Sequence, residues 1–125
     1  MDNLKFIKNQ MDILAIPYEF MEWTSDEIPY QYWVGECSST PTLTEDGNEE
    51  STFLLTGTTR GKWSDLLQTV EKIKTHFPAT GGMRSSTDSG SITVFFASSF
   101  PVPTGEADLK RIQVNLDIKE WKGMN

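Results

Sequence analysis

Two side chains of this sequence are candidates for catalysis because they titrate nearest to neutral pH without help from their surroundings. His76 is the single histidine and Cys37 the single cysteine, and a thiolate with an imidazole base is a common nucleophilic pair. His76 follows Lys74 in the last turn of a predicted helix, where the helix dipole favours a cation. Cys37 ends a predicted strand and has no Cys-x-x-Cys partner. The sequence therefore predicts no enzyme.

Two loops carry residues that other proteins use to bind a cation or a phosphate. Four acidic residues lie within residues 45–50, but the alternating oxygen ligands and closing glutamate of an EF-hand loop are missing. The Gly81-Gly82 pair has no Gly-Lys-Ser/Thr ending and no helical pattern after it. We expect a solvated acidic loop and a flexible connector, and we expect no metal or cofactor.

Composition excludes several classes of function. The net charge is −7, from 11 basic and 18 acidic residues, so the chain should repel free DNA and anionic lipid. One cysteine rules out an intramolecular disulfide and suits a reducing cytoplasm. The first residues have no long apolar h-region, and no stretch of 18 apolar residues occurs, so we expect neither a signal peptide nor a membrane span.

The middle of the chain predicts a strand that turns directly into a helix. Residues 51–59 are rich in β-branched and apolar residues. Ser64 is the predicted N-cap, Asp65 follows in the first turn, and Pro78 stops the helix. Four apolar residues with helical spacing should face a sheet: Leu66, Val70, Ile73 and Phe77.

The N-terminal part predicts one amphipathic helix and two strands. The helix ends at Ile16-Pro17, and its apolar stripe consists of Leu4, Phe6, Ile7, Met11, Ile13 and Leu14. Residues 18–23 predict an aromatic strand and residues 30–37 a second strand. Asp46-Gly47 provides a turn signal, so a long antiparallel hairpin should follow.

The C-terminal part predicts two more strands, at residues 91–97 and 111–118. The second has the clearest alternation, with one buried face that consists of Ile112, Val114, Leu116 and Ile118. The predicted order is α-β-β-β-α-β-β. We therefore expect one α+β domain over residues 1–125, with two helices packed on one face of a mainly antiparallel sheet and flexible loops at 38–50 and 78–90.

Three segments together resemble a known family. They are Pro-Tyr-Glu-Phe-Met-Glu-Trp at 17–23, Tyr-Trp-Val-Gly-Glu at 32–36, and residues 50–61 with the helix after them. The chain is similar to the tail terminator, or tail completion, proteins of tailed bacteriophages and prophages, especially the siphophage type of Gram-positive hosts. The resemblance implies a ring, usually of six subunits, that caps the tail tube, ends its growth and joins it to the head connector. These segments mark the fold, and that family has no catalytic residues.

The resemblance also implies partners and a location. The partners would be further copies of the chain, the tail tube protein and the head–tail connector or stopper protein, while DNA passes through the ring without tight binding. The protein would be assembled in the bacterial cytoplasm and end in the virion tail. Two alternatives stay open: another small head–tail joining protein, and a monomeric binding or regulatory module whose aromatic residues line a ligand pocket.

We predict that the surface that meets another subunit or the tube includes Arg60, Trp63, Arg84, Arg111, Gln113 and Asn115. The last three lie on the polar face of the final strand, which we expect at a sheet edge, where an unpaired backbone can recruit another chain. Arg111 would then pair with an acidic residue of the next subunit.

Overall fold

The computed structural model describes residues 2–24, 27, 31–43, 48–87 and 90–122. The elements are α1 (Asp2–Ile13), β1 (Tyr18–Phe20), β2 (Tyr32–Leu43), β3 (Asn48–Thr59), α2 (Trp63–His76), β4 (Met83–Thr87), β5 (Gly90–Val102) and β6 (Lys110–Lys122). The strands form one sheet in the order β1-β2-β3-β6-β5-β4. The α+β class is thus confirmed.

The sheet is mixed, so the prediction of antiparallel pairing is only partly correct. β1 runs parallel to β2, whereas the other four neighbouring pairs are antiparallel. β4 was not predicted, because its Met-Arg-Ser-Ser-Thr sequence has little apolar alternation. It lies inside the predicted connector at 78–90, so the element order has one strand more than expected.

The prediction that the last strand lies at a sheet edge is wrong. β6 lies between β3 and β5 and pairs with both along almost its whole length. The alternation in its sequence shows which face is buried, and it carries no information on how many neighbours the backbone has. The edges of the sheet are instead β1 and β4.

One core joins both helices to one face of the sheet, which we call the helix face. The four predicted α2 residues and the four predicted β6 residues are all buried there. They pack with Phe6, Ile7, Met11, Ile16, Trp33, Phe53, Leu55, Ile92, Val94 and Phe96. The opposite, outer face carries the alternate residues of the same strands, such as Leu54 and Asn115, which lie opposite each other.

The first helix ends earlier than predicted, which changes its buried stripe. α1 ends at Ile13, Ala15 has a positive φ of 57°, and the backbone N–H of Ile16 donates to the carbonyl of Met11. This turn directs Ile16 into the core and leaves Ile13 exposed at 68%. The assignment of Ile13 to the stripe is therefore wrong, and Gln10 is buried within it instead.

The N-cap of the second helix lies two residues before the predicted one, and the helix begins at Trp63. Lys62, and not Ser64, is the N-cap residue. The Asp65 carboxylate accepts the backbone N–H of Lys62 at 3.3 Å, so an acidic side chain in the first turn caps the helix from inside. The helix ends at His76, in agreement with the stop that Pro78 predicts.

The hairpin of β2 and β3 is confirmed, but the predicted loop at 38–50 is mostly strand, because β2 continues to Leu43 and β3 begins at Asn48. The Asp46-Gly47 turn and Tyr30 lie outside the described residues.

Two other strands differ in length from their predictions. The aromatic strand is only Tyr18–Phe20, since Met21 has a φ of 71° and ends it. β5 is longer than predicted and contains a bulge between Phe96 and Ser98.

Candidate functional site

Cys37 and His76 each have a structural environment that differs from that of a nucleophile and its base. Cys37 lies on the helix face opposite Phe53 and is half-buried. His76 Nε2 lies 2.7 Å from Gln10 Oε1, so the imidazole joins α2 to α1. Burial lowers the pKa of His76 below its ordinary value, which favours the neutral ring in this contact. His76 thus holds the two helices together.

Within the described residues, no group of three or more His, Cys, Asp or Glu side chains is arranged to hold a metal ion. In the same part of the chain, no helix combines the length and apolar character needed to span a membrane.

Three of the six predicted interface residues form a row at the centre of the outer face. Arg111 Nε donates to Thr58 Oγ1 at 3.3 Å, Gln113 Nε2 donates to Asn115 Oδ1 at 3.1 Å, and Asn115 Nδ2 donates to Ser98 Oγ at 2.9 Å. We call Arg111, Gln113 and Asn115 the polar row. Its members are half-buried and hydrogen-bonded within the subunit. These bonds occupy part of the hydrogen-bonding capacity of the polar row and hold its side chains in place within the subunit.

Arg60 is also engaged within the chain. Its guanidinium Nη1 lies 2.7 Å from Asp108 Oδ2 and 3.5 Å from Glu106 Oε2, in the connection that leads into β6. In the same connection the hydroxyl of Thr104 donates to the carbonyl of Leu109 at 2.8 Å. Arg60 thus ties the end of β3 to this connection.

Trp63 and Leu67 form an exposed apolar pair at the start of α2. They stand one helical turn apart, and their exposed fractions are 40% and 50%. An aromatic side chain exposed to this extent suits a contact surface. Trp63 was predicted as an interface residue, and its position leaves it accessible to a partner.

Arg84 lies in the edge strand β4, two strands away from the strand β6 that carries the polar row. Its guanidinium carbon is 5.6 Å from the centre of the Trp121 ring, which is a cation–π contact. The side chain is exposed. The structure therefore separates Arg84 from the other predicted residues and places it at one end of the sheet.

The sequence did not reveal a groove at the other end of the sheet. Its volume is about 550 Å³, and it is bordered by α1 and β1 through residues such as Leu4, Lys8, Tyr18 and Phe20. Phe20 is 40% exposed and the following Met21 59%. The only hint in the sequence is the density of aromatic residues in 18–23, which does not indicate which of them remain exposed.

The Tyr18 hydroxyl beside this groove is buried without a hydrogen-bond partner among the described residues. Burial raises the pKa of the Tyr18 phenol, and the nearby Cys37 thiol adds to the rise. The hydroxyl lies against Gly35, where a Cβ atom would collide with it. Tyr18 therefore anchors β1 to the core, and its ring forms part of the groove wall.

Comparison with known proteins identifies the fold alone. No family model and no curated protein matches the chain. Among solved structures, one protein aligns with a TM-score of 0.69 over 95% of this chain and 93% of its own length, at 14% sequence identity. The name of that protein states no activity. A chain of nearly the same extent thus adopts a similar arrangement of helices and strands.

Proposed function

We propose that this chain is a structural subunit of a bacteriophage tail, a tail terminator that forms a ring, caps the tail tube and joins it to the head connector. The support comes from the three segments that resemble that family: their strands, β1, β2 and β3, are neighbours in the sheet, and the third segment continues into α2. Two of their glycines serve packing: a Cβ atom at Gly35 would collide with Tyr18 and Phe53, and one at Gly57 with the Trp33 indole. The matching residues are thus those that build this fold.

Two further features support the proposal. Both helices pack on one face of a largely antiparallel sheet, and the resemblance implies a small α+β subunit. The net charge of −7 suits a ring through which DNA passes without tight binding, because a negatively charged surface repels the phosphates. In this proposal the protein is not an enzyme, and its chemistry is that of contacts between proteins.

The experiment is to delete the coding gene from the phage or prophage genome and to image the resulting particles. We expect overlong tubes and tails without heads, and we expect the intact chain, supplied from a plasmid, to restore normal particles. Normal tail length combined with detached heads would favour the alternative of another head–tail joining protein. Normal particles without the gene would contradict both.

One observation favours a second candidate, a monomeric binding module. The groove beside β1 has exposed apolar side chains and is large enough for a short peptide or a small ligand. Mass measurement in solution separates the two candidates, because the module stays monomeric while the ring subunit associates. The groove also adjoins β1, an edge of the sheet, so in a ring it would lie next to a contact with another subunit.

A further inference from the structure

The sheet ends on each side in a short strand. β1 has three residues and β4 has five, and each has a neighbour on one side only. An edge strand presents backbone groups that can pair with another chain. Very short edge strands are one means by which proteins limit such pairing, so the backbone here can supply only a few hydrogen bonds and side chains must supply the rest of any contact.

The backbone of β1 leaves donors for a further strand. The Trp33 N–H donates to the Pro17 carbonyl at 2.9 Å, and the Met21 N–H donates to the Gly35 carbonyl at 2.7 Å. Because alternate residues of a strand direct their backbone groups to opposite sides, the N–H groups of Tyr18 and Phe20 point away from β2. The groove between β1 and α1 is lined by all three residues of this strand.

The side chains of the two edges complement each other on both faces. By strand register, Glu19 of β1 and Arg84 of β4 both belong to the outer face. Glu19 Oε1 accepts a hydrogen bond from the Thr24 hydroxyl at 2.6 Å, which fixes the carboxylate at the edge. On the helix face, the exposed ring of Phe20 and the half-buried Met83 are the corresponding pair.

The charges of Glu19 and Arg84 favour a contact between the two different edges. A β1–β1 contact would bring Glu19 and the nearby exposed Glu22 close to their own copies, and a β4–β4 contact would bring Arg84 close to Arg84. A β1–β4 contact places opposite charges on one face instead, which favours cross-strand pairing. Such a contact is heterologous, so repeating it gives a ring where the rotation closes and an open filament where it does not.

We propose that the β1 edge of one copy pairs with the β4 edge of the next, so that the sheets continue from subunit to subunit around a ring. This inference rests on the proposed ring function and names its interface. The partner is a second copy of this chain, held by backbone hydrogen bonds, by Glu19 against Arg84 and by Phe20 against Met83.

Sedimentation at increasing protein concentration tests the charge pair. Arg84→Glu should raise the concentration of half-association about tenfold, because an attractive cross-strand pair becomes repulsive. Lys72→Glu is the matched control, since it changes the net charge equally at an exposed position of α2 and should leave association unchanged. The double variant Glu19→Arg with Arg84→Glu should recover association, which separates pairing from loss of the Trp121 contact.

Cross-linking tests the geometry independently. In a Cys37→Ser background, Phe20→Cys and Met83→Cys in one chain should give a ladder of multimers with a short bismaleimide. Each single-cysteine chain should give no more cross-linked product than a chain without cysteine. Dimers from a single-cysteine chain would show an isologous contact and overturn the proposal.

Two results would overturn the inference directly: a chain that stays monomeric at about 1 mM, or an oligomer that Arg84→Glu and Lys72→Glu affect equally. The particle imaging described above separates this failure from failure of the function. If deletion gives overlong or headless tails while the edge variants associate normally, the interface is wrong and the function stands. If the edge variants lose association as expected and deletion leaves particles normal, the interface stands and the function is wrong.

Discussion

The two faces of the central strands are stabilised by different kinds of interaction. On the helix face, Phe53 and Leu116 lie opposite each other and are completely buried. On the outer face, Leu54 and Asn115 lie opposite each other one residue further along, and both are half-buried. The helix face is held by close packing, whereas the outer face is held by hydrogen bonds among its own polar side chains.

The two faces leave a partner fewer open positions than the edges of the sheet do. The helix face is covered, and the polar row of the outer face already bonds to itself and to Thr58 and Ser98. Strands with a neighbour on one side only, and side chains of opposite charge, lie instead at the two edges of the sheet. Stability and assembly should therefore respond to different substitutions.

The largest effect should come from the helix face. Phe53→Ala should lower the free energy of unfolding by about 3–5 kcal/mol, because it removes a buried ring and leaves a cavity. Leu54→Ala, at the neighbouring position on the outer face, is the control and should cost much less. Chemical denaturation measures both. Equal losses at the two positions would contradict the distinction between the faces.

The next largest effect should come from Gly57, whose lack of a side chain leaves room for the Trp33 indole. Gly57→Ala should cost about 1–3 kcal/mol, because a Cβ atom there would overlap the buried indole. Combining it with Trp33→Leu should cost less than the sum of the two single changes, since the smaller side chain frees that space. Thermal unfolding of the three variants provides the measurement, and strict additivity would show that the indole is not the obstacle.

The polar row should contribute less. Asn115→Ala should lower the free energy of unfolding by about 1 kcal/mol, since it removes the bonds to Ser98 and Gln113. In a double-mutant cycle, Ser98→Ala should have almost no further effect once Asn115 is gone. If Asn115→Ala instead abolished association while leaving stability unchanged, the row would be a contact surface and the edges would lose their assigned role.

The smallest effect should be the pH dependence at the helix contact. The folded-state pKa of His76 lies below its ordinary value of 6.5, so the unfolded chain takes up a proton at higher pH than the folded chain. This contribution to stability is complete above about pH 6.5 and is lost as the pH falls towards the folded-state pKa. Tm should therefore drop slightly between about pH 7.5 and about pH 5.5, and less so in His76→Gln. A rise in Tm over that range that depends on His76 would contradict the sign.

Periodic apolar residues made the core predictable. Leu66 and Val114 are buried as their spacing indicates, since packing against one sheet face requires that pattern. Strand neighbours were not predictable, because backbone pairing leaves no trace in the alternation of β6. β4 was missed for a related reason: an edge strand with one face against the core needs few apolar residues, and in β4 Met83 packs against the core.

The candidate site was predictable only in part. Alternation in β6 placed Arg111, Gln113 and Asn115 on one face, and they form one row. The pairing of Arg60 with Asp108 joins positions 48 residues apart, which depends on how the strands are ordered and is not visible in local sequence. The groove beside β1 depends on where α1 ends, a boundary that Ala15 sets through its unusual backbone conformation.

The most direct test of the proposed function is to locate the protein in particles. A small tag could be placed after Asn125, and tails from the tagged phage or prophage could be labelled with gold and imaged. We expect label at one end of each tail, at the junction with the head, and no label along the tube. Label spread along the tube, or tails that carry none, would contradict the proposal that this chain forms the terminating ring.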